Sequence, residues 1–231
     1  MPNRKMLETM TEGRRQMRAT AKRVYAQYRD QIPRLIDRLA GPTQDDHDQA
    51  LELLRQMGDE VASELLAALA DPALDEVAAD SVVSLLGMTG NDRAREPLWE
   101  FFHAHQDDIE RASTAALSLA YLADERVLPF VRQALDAKDE EVVSNAVVSL
   151  FVIGTMKDIP HLRELHRHHL TNHEIRSEIA NAVLTILGET DQRTLNRTLD
   201  DIQTRFADRH LWDDIWAILE GQFGTKDVSW H

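Results

Sequence analysis

The sequence predicts an all-α fold. It reads as a right-handed α-solenoid of about six antiparallel helix pairs with an extra N-terminal helix, and three observations carry that expectation. Proline returns at Pro33, Pro97, Pro129 and Pro160, at separations of 64, 32 and 31 residues, and the skipped beat falls at Leu65. Three of these prolines share a phrase: Ile32-Pro33-Arg34-Leu35, Leu128-Pro129-Phe130-Val131 and Ile159-Pro160-His161-Leu162. Apolar residues recur at helical steps of three and four, and no stretch alternates as a strand would. A fixed period of roughly 20–50 residues marks a stacked repeat array, in which each unit contacts its neighbours along one continuous seam.

The elements follow in order. Residues 3–30 read as one basic amphipathic helix. Met6, Met10, Met17, Ala21, Val24, Tyr25 and Tyr28 form its apolar stripe, and Arg14, Arg15, Arg18, Lys22, Arg23 and Arg29 lie largely off it. Asp30 can cap the next helix, and Pro33 suits a first turn, where a missing N–H costs nothing. The first helix of each pair is expected at about 31–40, 59–70, 92–105, 125–137, 158–170 and 191–207. The second is expected at about 45–57, 75–87, 108–122, 140–153, 173–187 and 210–223. Turn residues such as Gly41-Pro42-Thr43, Asp71-Pro72 and Thr171-Asn172 separate partners, and Gly58, Gly90, Asp124, Gly154 and Gly188 separate units. This gives a head at 1–30, an array at 31–223 and a tail at 224–231.

The second helices repeat a core. Val77, Ile109, Val142 and Ile175 recur at steps of 32, 33 and 33, each just after acidic residues that favour a helix start. The segments Val83-Ser84-Leu85, Leu117-Ser118-Leu119, Val148-Ser149-Leu150 and Leu184-Thr185-Ile186 follow. Ala50, Ser81, Ala115, Ala146 and Ala182 precede them as small residues that let helices approach. Mid-helix hydroxyls of this kind back-bond to a carbonyl one turn earlier.

This pattern resembles the HEAT repeat family, in particular its bacterial branch related to phycobilisome lyase subunits. The carrying residues are the first-helix prolines, the Asp/Glu-x-Val/Ile start of each second helix, the small-x-x-x-Leu/Ile core and the closing glycine. Asn172-His173-Glu174-Ile175-Arg176 through Ile186-Leu187-Gly188 shows the match over one helix. It covers residues 31–188 well and 191–223 weakly. The family's arginine after the branched residue stands as Arg176, with Arg111 one place displaced. The resemblance implies a binding scaffold; its lyase branch implies, as an alternative, a lyase-like or chaperone subunit acting on a tetrapyrrole-bearing protein.

Charge narrows the partner. The chain carries a formal net charge of −14. Residues 1–40 hold ten Lys/Arg and four Asp/Glu, a balance of +6, and residues 41–231 hold 16 and 36, a balance of −20. An acidic body disfavours nucleic acid, whose binding depends on neutralising phosphates. The basic head can dock on the acidic repeats as a cap, bind an acidic protein or RNA, or lie on an anionic membrane. The chain has no cysteine, so it has no disulfide, thiolate metal site or cysteine nucleophile. No apolar run approaches a membrane span, the first residues MPNRKMLETMTEGRR show no signal peptide, and a cytoplasmic location is expected.

No phosphate loop, dinucleotide fingerprint, zinc-protease motif or calcium loop is present. His161, His166, His168, His169 and His173 form a histidine-rich tract, but no carboxylate shares their helical face, so no metal is expected. Deoxyhypusine hydroxylase, a HEAT-type enzyme, holds iron with repeated His-Glu pairs; this chain has only His173-Glu174. HEAT-like alkylpurine DNA glycosylases use aromatic residues and an Asp in a basic groove. Trp212-Asp213-Asp214-Ile215-Trp216 has the residue types without the basic setting. Trp212, Ile215, Trp216 and Leu219 read as one stripe, either an aromatic seal over the last core layer or a partly exposed anchor. The expected function is a non-enzymatic protein-interaction scaffold with no cofactor. Its concave wall is expected at Asp80, Glu110, Arg111, Asn145, Arg176 and Glu178, and it would take a basic segment of another protein. Arg14, Arg15, Arg18 and Lys22 are the contact candidates on the head.

Overall fold

A computed structural model describes residues 4–223, so the expected tail at 224–231 lies outside the described residues. The helices are α1 Arg4–Tyr28, α2 Ile32–Arg38, α3 Gln44–Gln56, α4 Ala62–Leu69, α5 Glu76–Thr89, α6 Arg95–Ala104 and α7 Ile109–Tyr121. They continue as α8 Leu128–Ala134, α9 Glu140–Ile153, α10 Ile159–His168, α11 His173–Gly188, α12 Gln192–Thr204 and α13 Arg209–Phe223. Among the described residues there is no strand. The fold is all-α, of the α-solenoid class.

Local chemistry explains the boundaries. Thr43, Asp75, Asp108, Asp139 and Asn172 are the N-caps of α3, α5, α7, α9 and α11, and each side chain accepts a backbone N–H of the first turn. Pro33 and Pro160 stand in the first turns of α2 and α10. Short 3-10 turns, such as Gly58–Val61, Asp92–Ala94 and Glu125–Val127, lead into α4, α6 and α8. Gly58 and Gly90 adopt φ of +54° and +69°, and Ala123 takes φ +58° in the corresponding turn after α7. The left-handed conformation costs a residue with a Cβ about 1–2 kcal/mol.

The chain divides within α8 into two compact units, residues 7–130 and residues from Val131 onward. In the first, α2 packs on α3, α4 on α5 and α6 on α7, while α5 also packs on α3 and α7. Leu39, Leu54, Met57, Leu65, Leu86, Leu98 and Leu119 fill its core. In the second, α10 packs on α11, α12 on α13, and α11 on both α9 and α13. Leu150, Ile153, Leu162, Ile179, Val183 and Ile215 are buried there.

The expected core repeat holds for two of its four positions. Val142 and Ile175 are buried, but Val77 and Ile109 are 58% and 45% exposed. The caps set the phase. Val142 and Ile175 each stand three residues after their cap, Val77 stands two after Asp75, and Ile109 follows Asp108 directly. Each residue turns an α-helix by about 100°, so those two side chains miss the seam. Ala78, Ala79, Ala112, Ala115 and Ala116 occupy it instead.

From residue 7 on, α1 belongs to the first unit. Ala21 is buried and lies against Gly58. The Tyr25 hydroxyl donates to Glu64 at 2.5 Å, and Arg18 reaches Glu60 at 3.9 Å. The Arg14 guanidinium packs onto Gly90, where an added Cβ would meet Arg14 Nη1 at 2.0 Å. Burial lowers the Arg14 pKa, and Asp59 opposes that shift. Of the three readings of the head, these contacts support the cap. Met17 stays 64% exposed, so the methionine stripe is only partly used.

Candidate functional site

The wall positions lie on α5, α7, α9 and α11, and the structure gives them different duties. In the first unit, the Arg111 Nε donates to Asp80 at 2.9 Å, from α7 to α5. The same guanidinium lies 5.2 Å from the Phe101 ring centroid and 4.0 Å from Glu76. His47 Nε2 lies 3.0 Å from Ser81 Oγ and ties α3 to α5. Asp80 and Arg111 are therefore held by each other. Glu110 remains exposed at the start of α7.

In the second unit, Arg176 donates to both oxygens of Asp214, at 3.0 and 2.7 Å, joining α11 to α13. His166 Nε2 lies 2.7 Å from Asp214, and the imidazole is 1% exposed. Burial lowers the His166 pKa; Asp214 pulls the other way, and the charges of Arg176 and His210 reinforce the lowering. Asn145 is half-buried on α9, and its backbone carbonyl accepts the Ser149 hydroxyl at 2.7 Å, the expected back-bond.

Glu178 differs from the rest. It is half-buried on α11 and accepts the Ser144 hydroxyl of α9 at 3.0 and 2.8 Å. Among the described residues no cation pairs with it. Burial pushes its pKa up, the Ser144 hydrogen bond opposes this, and the charge of Glu174 adds to the rise.

On the head, Arg15 and Lys22 are exposed, and Arg15 lies 3.8 Å from Glu12. At the other end the predicted stripe splits. Leu211 and Ile215 are the buried positions of α13, while Trp212 and Trp216 are half-buried on an adjoining face. Their rings stack with centroids 6.1 Å apart. The two indoles border a groove of about 820 Å³ beside α12 rather than closing the core.

The histidine tract is dispersed. His161 faces Asp136 at 3.1 Å, His168 faces Glu164 at 3.2 Å, and His166 is committed to Asp214. Among the described residues no group of three or more His, Asp or Glu is arranged to hold a metal ion.

Sequence reasoning missed a set of turn carboxylates. Asp124 accepts from Arg126, which also reaches Glu96 at 2.8 Å and lies 4.4 Å above the Trp99 ring. Burial works against the Asp124 carboxylate, yet the Arg126 hydrogen bonds hold its pKa below the usual range. Asp158 is likewise buried, but Arg132 and Thr155 hold its pKa down. Asp208, with a fully buried side chain, accepts from both Arg163 and Arg167. The available signal was a second beat, Asp59, Asn91, Asp124, Asp158 and Asp191, at steps of 32, 33, 34 and 33.

No curated protein matches the chain. Solved structures similar to it include two designed proteins. One is a computationally designed armadillo repeat protein for modular peptide recognition, with 21% identity over 82% of this chain and 98% of that one, and a TM-score of 0.43. The other is a designed armadillo repeat protein in complex with the peptide (KR)4, with 20% identity over 82% and 98%, and a TM-score of 0.45. Residues 104–184, which include all of α7 to α10 and most of α11, match the family model described as HEAT repeats.

Proposed function

We propose that the chain is a non-enzymatic interaction scaffold that takes a basic segment of another protein on its acidic second-helix surface. Repeat arrays build extended binding faces from stacked helices. The observation that carries the proposal is Glu178, a half-buried carboxylate whose neighbours are the Ser144 hydroxyl and the Glu174 charge. An ionised group held without a cation weakens the free protein, and an incoming lysine or arginine relieves that cost. The wall arginines Arg111 and Arg176 are already neutralised by Asp80 and Asp214. Exposed Glu140, Glu141 and Glu174 at the starts of α9 and α11 leave the neighbouring surface negative and steer basic partners. Glu178 and Glu174 of α11, with Asn145 of α9, are the proposed contacts. Asp80, Arg111 and Arg176 act by fixing helix positions, and the head acts as a cap on the first repeats.

The test is binding of an acetylated, amidated tetralysine peptide, with tetraglutamate as control, by calorimetry at low and moderate salt. Tetralysine should bind and weaken as salt rises. Glu178→Gln keeps an acceptor for Ser144 and removes the charge. It should weaken binding about fivefold or more while the melting temperature holds or rises. Absence of tetralysine binding, or equal binding by Glu178→Gln, removes the proposal.

A further inference from the structure

We infer that the groove between α12 and α13 seats a lysine or arginine side chain of the basic segment, an assignment that rests on the proposed function above. Trp212 and Trp216 form one wall, their planes 26° apart. Asp200, Asp213 and Glu220 supply every ionisable side chain that lines it. Glu220 accepts the Trp216 indole N–H at 2.8 Å and so fixes that ring.

The chemistry selects a cation. A lysine or arginine over an indole face, within about 6 Å of its centroid, is drawn by the ring quadrupole. The carboxylates around the groove add charge attraction. An acidic occupant would be repelled, and a purely apolar one would strip water from carboxylates and offer nothing in return. The volume of about 820 Å³ lies within the roughly 300–1,000 Å³ usual for binding sites. It holds a long side chain and its adjoining backbone.

Trp99 shows the same chemistry satisfied internally, because Arg126 already lies 4.4 Å above its ring. Among the described residues, no arginine or lysine lies over Trp212 or Trp216. Tryptophan beside a groove is also a recurrent binding hot spot. The HEAT scaffold would thus grip a basic segment at two places in its second unit, Glu178 on the wall and the tryptophan pair near its last helix.

Tryptophan emission of the full chain is followed as tetralysine or tetraglutamate is added. Tetralysine should change the emission, and tetraglutamate should not. Trp212→Ala, and separately the double change Asp200→Asn with Asp213→Asn, should each weaken tetralysine binding at least about fivefold. The double change alters only exposed side chains, so it keeps the test valid if the tryptophan variant unfolds. Binding that is lost in Glu178→Gln but unchanged in the groove variants overturns this inference alone. No tetralysine binding by the wild type overturns it together with the proposed function. A Lys226→Ala variant that binds tetralysine several-fold more tightly would make the chain's own C-terminal segment the occupant and overturn the partner assignment.

Discussion

The α5–α7 contact and the α11–α13 contact both stack one second helix on the next, but they differ in how much the close approach of small residues and how much charge contributes. Between α5 and α7 the seam is narrow and mostly apolar, with the Arg111–Asp80 pair beside it. A Cβ on Gly87 would stand 2.6 Å from Ser118 Cα, and Ala78, Ala79, Ala112, Ala115 and Ala116 are buried on the two helices. Between α11 and α13 a shared carboxylate does much of the joining, since Asp214 accepts from Arg176 and pairs with His166. The first contact is fixed by shape. The second also depends on which groups are ionised. Each contact carries an arginine–aspartate pair, but the second adds the buried His166, whose protonation changes on mild acidification.

The sharpest way to break this comparison is at Asp208, in the charged region. Its side chain is fully buried between Arg163 and Arg167. Removing one partner of a buried pair leaves uncompensated charge and costs about 3–5 kcal/mol. Asp208→Ala should show a loss near the lower figure in urea unfolding, because Asp201 and Glu164 still hold the two arginines. Gly87→Val tests the narrow seam. Its new Cβ would meet the Ser118 backbone, so the helices must separate, at about 2 kcal/mol or more. The same method should show a lower midpoint.

The third prediction concerns pH. The folded state lowers the His166 pKa. Stability from the neutral imidazole is therefore fully present above the ordinary histidine value of about 6.5 and is lost as pH falls through the lowered value. Asp214, Arg176 and His210 are the charged or titratable groups that face it. The melting temperature should fall in that window, and His166→Gln should flatten the fall. Asp124 and Asp158, whose folded pKa values are depressed, act later, losing their contribution below about pH 4. The smallest effect is a gain. Ala123→Gly relieves a left-handed residue and should add up to about 1 kcal/mol to unfolding stability.

Helix order and pairing were legible because they rest on local chemistry. Prolines, N-caps and helical spacing act within a few residues, and the sequence exposes all three. Phase was less legible. Val77 and Ile109 fit a constant repeat length, whereas their helices start one or two residues away from the phase that repeat requires. Long-range pairing was hidden altogether. Arg111 and Arg176 read as surface charges because Asp80 and Asp214 stand 31 and 38 residues distant. The tryptophans fell on one predicted stripe with Ile215, and only the packing of α11 and α12 against α13 separates the buried face from the groove. The proline beat runs on from Pro97 to Pro160 at steps of 32 and 31, so it gave no sign of the division near Val131.

The place a side chain at position 90 would take is already filled by Arg14. These two positions, 76 apart in sequence, share one volume and must change together. Among relatives, a residue larger than glycine at 90 should accompany a short side chain at 14. A relative that lacks the N-terminal helix should be free of the constraint except for the left-handed turn itself. Covariation at this pair would record, over evolutionary time, whether the head and the first repeats have been inherited as one body.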